Sequence, residues 1–109
     1  MALLGLLLGT QAGCLQDIHW YSGSIGYFPT YTLGAAAAAQ LFAAARKALP
    51  DVPDALAKGD FAPLLGWLRK NVHGKASSKL TDEILQDATG VPLDTNAFMT
   101  HLRARYLAN

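Results

Sequence analysis

Pro29-Thr30-Tyr31-Thr32-Leu33-Gly34-Ala35-Ala36-Ala37-Ala38-Ala39-Gln40-Leu41-Phe42-Ala43-Ala44-Ala45-Arg46-Lys47-Ala48-Leu49 is the stretch that decides the fold class. Alanine loses no side-chain entropy in a helix and is its best former, so this run predicts the longest helix of the chain. Proline suits its first turn, Arg46 and Lys47 suit the negative end of its dipole, and Pro50 stops it. Phe28, Tyr31, Ala35, Ala38, Phe42, Ala45 and Leu49 step by three and four, which predicts one buried stripe.

Downstream, a short helix is expected over Pro53 to Lys58, closed by Gly59. Asp60 is then expected to cap a helix whose apolar face carries Phe61, Leu64, Leu65, Leu68 and Val72. Gly74 ends that helix, and Lys75 to Lys79 reads as a polar mobile loop. Thr81 is expected to cap a helix bearing Ile84, Leu85 and Ala88 that ends at Gly90 and Pro92. Asp94 is expected to cap a last helix carrying Phe98, Leu102 and Tyr106. No strand-like alternation and no internal repeat interrupts the series, so the class is all-α.

The composition sets further limits. The chain of 109 residues is 51% hydrophobic and 16% charged, which suits a folded chain of one domain at most. A formal net charge of +1 supplies no basic field, so nucleic acid and anionic membrane are not expected as partners. Asp17 is the only charged side chain before Arg46. So long an uncharged stretch reads as interior, to be covered by a partner or by further chain. The single cysteine, Cys14, excludes an intramolecular disulfide and reads as an inert buried thiol. The apolar run Leu3 to Leu8 followed by Ala12-Gly13-Cys14 has the outline of an export signal with a lipid-modified cysteine. It lacks a preceding Lys or Arg, carries Gln11 three residues before the cysteine, and falls short of the roughly 20 residues that span a bilayer. A helical start and a cytoplasmic chain are therefore expected.

Polar and aromatic chemistry concentrates in Gln16-Asp17-Ile18-His19-Trp20-Tyr21-Ser22-Gly23-Ser24-Ile25-Gly26-Tyr27-Phe28-Pro29-Thr30-Tyr31. An amide, a carboxylate, an imidazole and three phenols in a region otherwise short of charge are the furnishings of a catalytic surface. Gly23-Ser24-Ile25-Gly26 has no basic neighbour for a nucleic-acid clamp, and Ser24 lacks the glycine order of a nucleophile elbow. His19, His73 and His101 have no second ligand three or four residues away, so no metal site is complete here.

Gly13-x-x-Gln16-Asp17-x-His19-Trp20 followed by Gly26-Tyr27-Phe28-Pro29-Thr30-Tyr31-Thr32-Leu33-Gly34 resembles the C-terminal signature of the carboxypeptidase Taq family of zinc metallocarboxypeptidases. Phe61-Ala62-Pro63-Leu64-Leu65-x-Trp67-Leu68-Arg69, Ala88-Thr89-Gly90-x-Pro92-Leu93, and Phe98 and Leu102 with Tyr106 continue the resemblance from Gly13 to Asn109. It implies a large, mostly helical enzyme that removes C-terminal residues from peptides and forms a homodimer when complete. It also implies zinc or another divalent metal, held by a His-Glu-x-x-His helix and a further glutamate upstream. This sequence has no His-Glu-x-x-His, its only glutamate is Glu83, and no arginine precedes Arg46.

The chain is therefore expected to be one fragment of a larger catalytic domain. Residues 1–12 would form an atypical lead-in, 13–34 an active-site wall and 35–109 a helical packing region. The resemblance assigns His19 with Tyr27 or Tyr31 to stabilising the oxyanion that develops on the scissile carbonyl. If the long helix starts near Tyr27, the two phenols share a face one turn apart near its N-terminus. Gln16 and Asp17 are expected to support them, Asp17 by accepting a hydrogen bond from the His19 ring. Gly34 is expected to leave room beneath the phenols, and Trp20, Phe28 and Trp67 to serve packing. The competing expectation is a non-enzymatic helical module that binds a partner helix through its uncharged N-terminal surface.

Overall fold

The structure is a computed structural model that describes residues 17–107, and among these every regular element is helical. The helices are α1 (Ile18–Tyr21), α2 (Pro29–Ala48), α3 (Val52–Ala57), α4 (Ala62–Asn71), α5 (Thr81–Thr89) and α6 (Asn96–Tyr106), with a 3-10 turn at His73–Lys75. The chain forms two compact units, Met1–Thr32 and Leu33–Asn109. The anticipated start at residues 1–12, with Cys14 and Gln16, lies outside the described residues.

In the second unit the alanine run is helical throughout, but its buried residues share only Ala45 with the expected stripe. Ala36, Gln40 and Ala45 are buried, whereas Ala35 and Ala38 are exposed and Phe42 is only half-buried. A run of alanines offers nearly the same apolar surface all round, so periodicity does not choose its face. Gln40 chooses it. Its Nε2 donates to Thr89 Oγ1 at 3.0 Å, Val91 O at 3.0 Å and Pro92 O at 2.8 Å, and its Oε1 accepts from the Asp94 N–H at 3.2 Å. An amide that is 4% exposed thus meets the polar backbone groups of the segment between α5 and α6, as a buried polar group must.

The other boundaries follow local chemistry with small shifts. Asp60 Oδ1 accepts from the Ala62 N–H at 3.0 Å, and Asp94 Oδ1 from the Asn96 N–H at 2.9 Å, each two residues ahead. Phe61 and Thr95 themselves occupy the cap positions. Thr81 is the first residue of α5 rather than its cap, which is Leu80. The Leu80 N–H donates to Glu83 Oε2 at 2.8 Å, so one half of a capping box is present and leucine has no acceptor for the other. Gly74 is held to its type by space. A Cβ there would stand 2.8 Å from the Arg69 carbonyl oxygen, where the 3-10 turn folds back on α4.

The segment expected to be a mobile loop is tied down. Lys75 Nζ and Lys79 Nζ both reach Asp87 Oδ2, at 2.8 and 2.7 Å, and Ser78 bonds back to the Lys75 carbonyl. The two ammonium groups hold the Asp87 carboxyl at about 2, below its ordinary 3.8. Spacing alone could not reveal this, because the lysines lie twelve and eight residues from their partner.

The buried apolar set among the described residues is small: Ala36, Ala45, Val52 and Leu85. The anticipated apolar face of α4 packs against α3 and α5 but buries no residue, and Phe61 is 62% exposed. On α6, Phe98 and Leu102 are half-buried, while Tyr106 is exposed beneath the Arg105 guanidinium at 5.6 Å.

Replacing Gln40 with leucine removes the amide and strands the groups it bonds, which should cost about 1–3 kcal/mol in chemical denaturation. The Asp87 cluster predicts an acid transition. A carboxyl lowered in the folded state contributes above its unfolded value and loses that contribution as pH falls through its folded value. Protection of the backbone amides of residues 76–79 from hydrogen exchange should therefore fall between pH 3.8 and about 2, and an Asp87→Asn chain should show no such step.

Candidate active site

The first unit is organised around a carboxylate that caps a single helical turn. Asp17 has extended backbone geometry, and its Oδ1 accepts from the His19 N–H at 2.8 Å, starting α1. The same oxygen lies 2.5 Å from His19 Nδ1. Two bonds to one oxygen fix the imidazole against the turn that carries it. They also hold the Asp17 carboxyl below its ordinary 3.8, the backbone N–H contributing most and the ring next.

The chain then reverses so that its aromatic residues return to His19. The Ser22 N–H donates to the Ile18 carbonyl at 3.0 Å and the Ser24 N–H to the His19 carbonyl at 2.9 Å. Gly23 and Gly26 take φ of 71° and 81°, the left-handed region that a side chain disfavours, and so turn the loop twice within four residues. The Tyr27 carbonyl accepts from the Thr30 N–H at 3.0 Å and from Thr30 Oγ1 at 2.6 Å, which docks the loop onto the first turn of α2.

Three rings surround the imidazole. Tyr27 stacks on it with centroids 5.5 Å apart and planes 18° apart, Phe28 tilts against it at 4.7 Å, and Tyr31 meets it edge-on at 6.1 Å. Tyr27 and Tyr31 meet each other edge-on at 5.4 Å. The expected union of Asp17, His19, Tyr27 and Tyr31 is therefore present, with Gln16 outside the described residues.

One detail differs from the expectation. Tyr27 precedes α2 and is not on its first turn, because Pro29 opens the helix. The phenols meet through the loop bend rather than through helical spacing. A Cβ added at Gly34 would meet nothing within 4 Å, so that position lies open.

Phe28, expected to serve packing, packs on the imidazole, its centroid the nearest of the three rings. Trp20 is 45% exposed and Tyr21 76% exposed. The phenol-bearing residues are open too, Tyr27 at 48% and Tyr31 at 56%, while the His19 side chain is 23% exposed. The site is thus a shallow surface presenting one imidazole and two phenols. Imidazole and phenol can both donate hydrogen bonds to a developing negative charge. His73 and His101 are exposed and belong to the second unit.

No group of three His, Cys, Asp or Glu side chains comes together among the described residues as a metal set. His19 and Asp17 already engage one another and provide two potential ligands, fewer than a protein-bound zinc normally takes. Among the described residues no helix is long and apolar enough to cross a membrane.

Comparison with known proteins places the surface in context. The family described as carboxypeptidase Taq (M32) metallopeptidase matches residues 2–106, reaching upstream of the Gly13 motif. The thermostable carboxypeptidase 1 of Pyrococcus furiosus is 43% identical over 87% of this chain and 19% of its own length. Carboxypeptidase 1 of Bacillus subtilis is 39% identical over 94% of this chain and 21% of its own. Metallocarboxypeptidase 1 of Trypanosoma cruzi superposes with a TM-score of 0.86 at 42% identity, over 92% of this chain and 21% of that structure. The chain spans about one fifth of the length of these relatives.

The two Asp17 bonds can be separated by titration. In His19→Ala the ring bond is gone and the backbone bond remains, so the carboxyl midpoint, followed by carbon NMR, should rise toward 3.8 without reaching it. A midpoint unchanged by the substitution would mean that the ring does not engage Asp17.

Proposed function

This chain belongs to the carboxypeptidase Taq (M32) family of metallopeptidases, and on that premise we propose that it is one wall of a peptide-hydrolysing cleft. It supplies groups that stabilise the transition state of C-terminal residue removal, and the upstream portion of the family's chain supplies the metal. The observation that carries this reading is the gathering of His19, Tyr27 and Tyr31 around one point, with Asp17 bracing the imidazole. The complete enzyme is proposed to act on peptides with zinc or another divalent metal and as a homodimer.

The division of labour follows from the chemistry of the side chains. Attack on a peptide carbonyl places negative charge on its oxygen, and donors already aimed at that oxygen lower the barrier. His19 and one of Tyr27 or Tyr31 are the proposed donors. Asp17 is a positioning residue, since its carboxylate orients the ring and touches no substrate. Phe28 keeps the imidazole from swinging away. The openness of the phenols suits a surface that another part of the enzyme covers, where exclusion of water strengthens each donor.

A second reading is favoured by the exposed apolar side chains Ile18, Tyr21 and Ile25 of the N-terminal stretch: a non-enzymatic helical module that docks on a partner helix through that uncharged surface. The two readings part at His19.

Alone, the 109-residue chain is expected to release no C-terminal residue from a peptide, with zinc or cobalt added. Chelator-sensitive release would overturn that expectation. Within a longer chain carrying the family's metal motif, His19→Ala should lower kcat/KM by about 10²–10³ with the fold retained. Tyr27→Phe and Tyr31→Phe should show which phenol shares the task. Full activity in His19→Ala would favour the module.

A further inference from the structure

The bonding at Asp17 constrains what His19 can do. An ionised carboxylate accepts hydrogen bonds and donates none. Asp17 Oδ1 already accepts from the His19 backbone N–H and lies within hydrogen-bond reach of Nδ1. For that second contact to be favourable, Nδ1 must carry a proton.

We propose that Asp17 fixes His19 in the Nδ1–H form, so that Nε2 accepts a hydrogen bond in the neutral ring and donates one only in the imidazolium. Among the described residues the titratable groups against the ring are Asp17 at the α1 cap, Tyr27 in the loop and Tyr31 in α2, and the Phe28 ring also tilts against it. Neither phenol opposes the assignment, because a phenol O–H both donates and accepts. The carboxyl itself stays ionised through the working range of a histidine, its pKa being held below the ordinary value.

For catalysis, and resting on the function proposed above, this divides the donors into two kinds. The Tyr27 and Tyr31 hydroxyls donate to an oxyanion whether His19 is charged or neutral. The His19 Nε2 does so only in the imidazolium form. In the neutral ring Nε2 is suited to accept from an N–H of the bound peptide.

The test reads the tautomer directly. The 109-residue chain is labelled with nitrogen-15 at histidine, and long-range proton–nitrogen spectra are recorded above the imidazole titration, His19 being assigned by loss of its signals in His19→Gln. The exposed His73 and His101 serve as internal references. The expected result is a pyrrole-like Nδ1 and a pyridine-like Nε2 at His19, with the preference lost in Asp17→Ala. Asp17→Asn should retain it, because its amide oxygen still accepts. An Nε2–H ring in the unsubstituted chain, a pattern matching His73 and His101, or an Nδ1–H ring that survives Asp17→Ala would each overturn the assignment. Neither peptide nor metal enters the measurement, so its failure leaves the cleft reading standing, and inactivity of a longer His19 variant leaves the tautomer standing.

Discussion

The second unit depends on the side-chain amide of one residue, Gln40. With only Ala36, Ala45, Val52 and Leu85 buried among its described apolar residues, area burial alone gives weak direction to the packing. Gln40 adds direction. It joins the middle of α2 to the Val91 and Pro92 carbonyls and the Asp94 N–H of the segment after α5, and its four contacts accept no apolar substitute. Thr89 completes the knot, since its hydroxyl also donates to the Leu85 carbonyl and so couples the last turn of α5 to α2. The loop between α5 and α6 is therefore a fixed joint.

The site in the first unit is built on a different principle. Its geometry comes from hydrogen bonds and ring contacts between residues near in sequence, with Asp17 at one end and Tyr31 at the other. Among the described residues of the first unit Ile18, Tyr21 and Ile25 are exposed. So open a surface suits the proposed cleft wall, and the relatives are about five times as long as this chain.

The helical class and the gathering of Asp17, His19, Tyr27 and Tyr31 were legible in the sequence, the first from propensity and punctuation, the second from a motif that keeps its chemistry within a short span. The buried residues of α2 were legible only at Ala45, because alanine marks no face and Gln40 is a residue that periodicity counts as solvent-facing. The start of α2 at Pro29 was visible, yet its consequence for Tyr27 was not. Two tyrosines four apart suggest one helical turn, while the loop delivers them by another path. The tie of Lys75 and Lys79 to Asp87 is a pairing across elements, which local pattern does not encode.

The difference in span between the two arrangements also bears on the order in which they assemble. The contacts of Gln40 join residues 49 to 54 positions apart, whereas the Asp17–His19 contact spans two. Closing a short loop takes about 10–100 ns, and longer closures demand more chain entropy. The imidazole and its phenols can therefore come together while the helical unit is still searching for the joint at Gln40, and a growing polypeptide would carry this aromatic cluster nearly formed into the search.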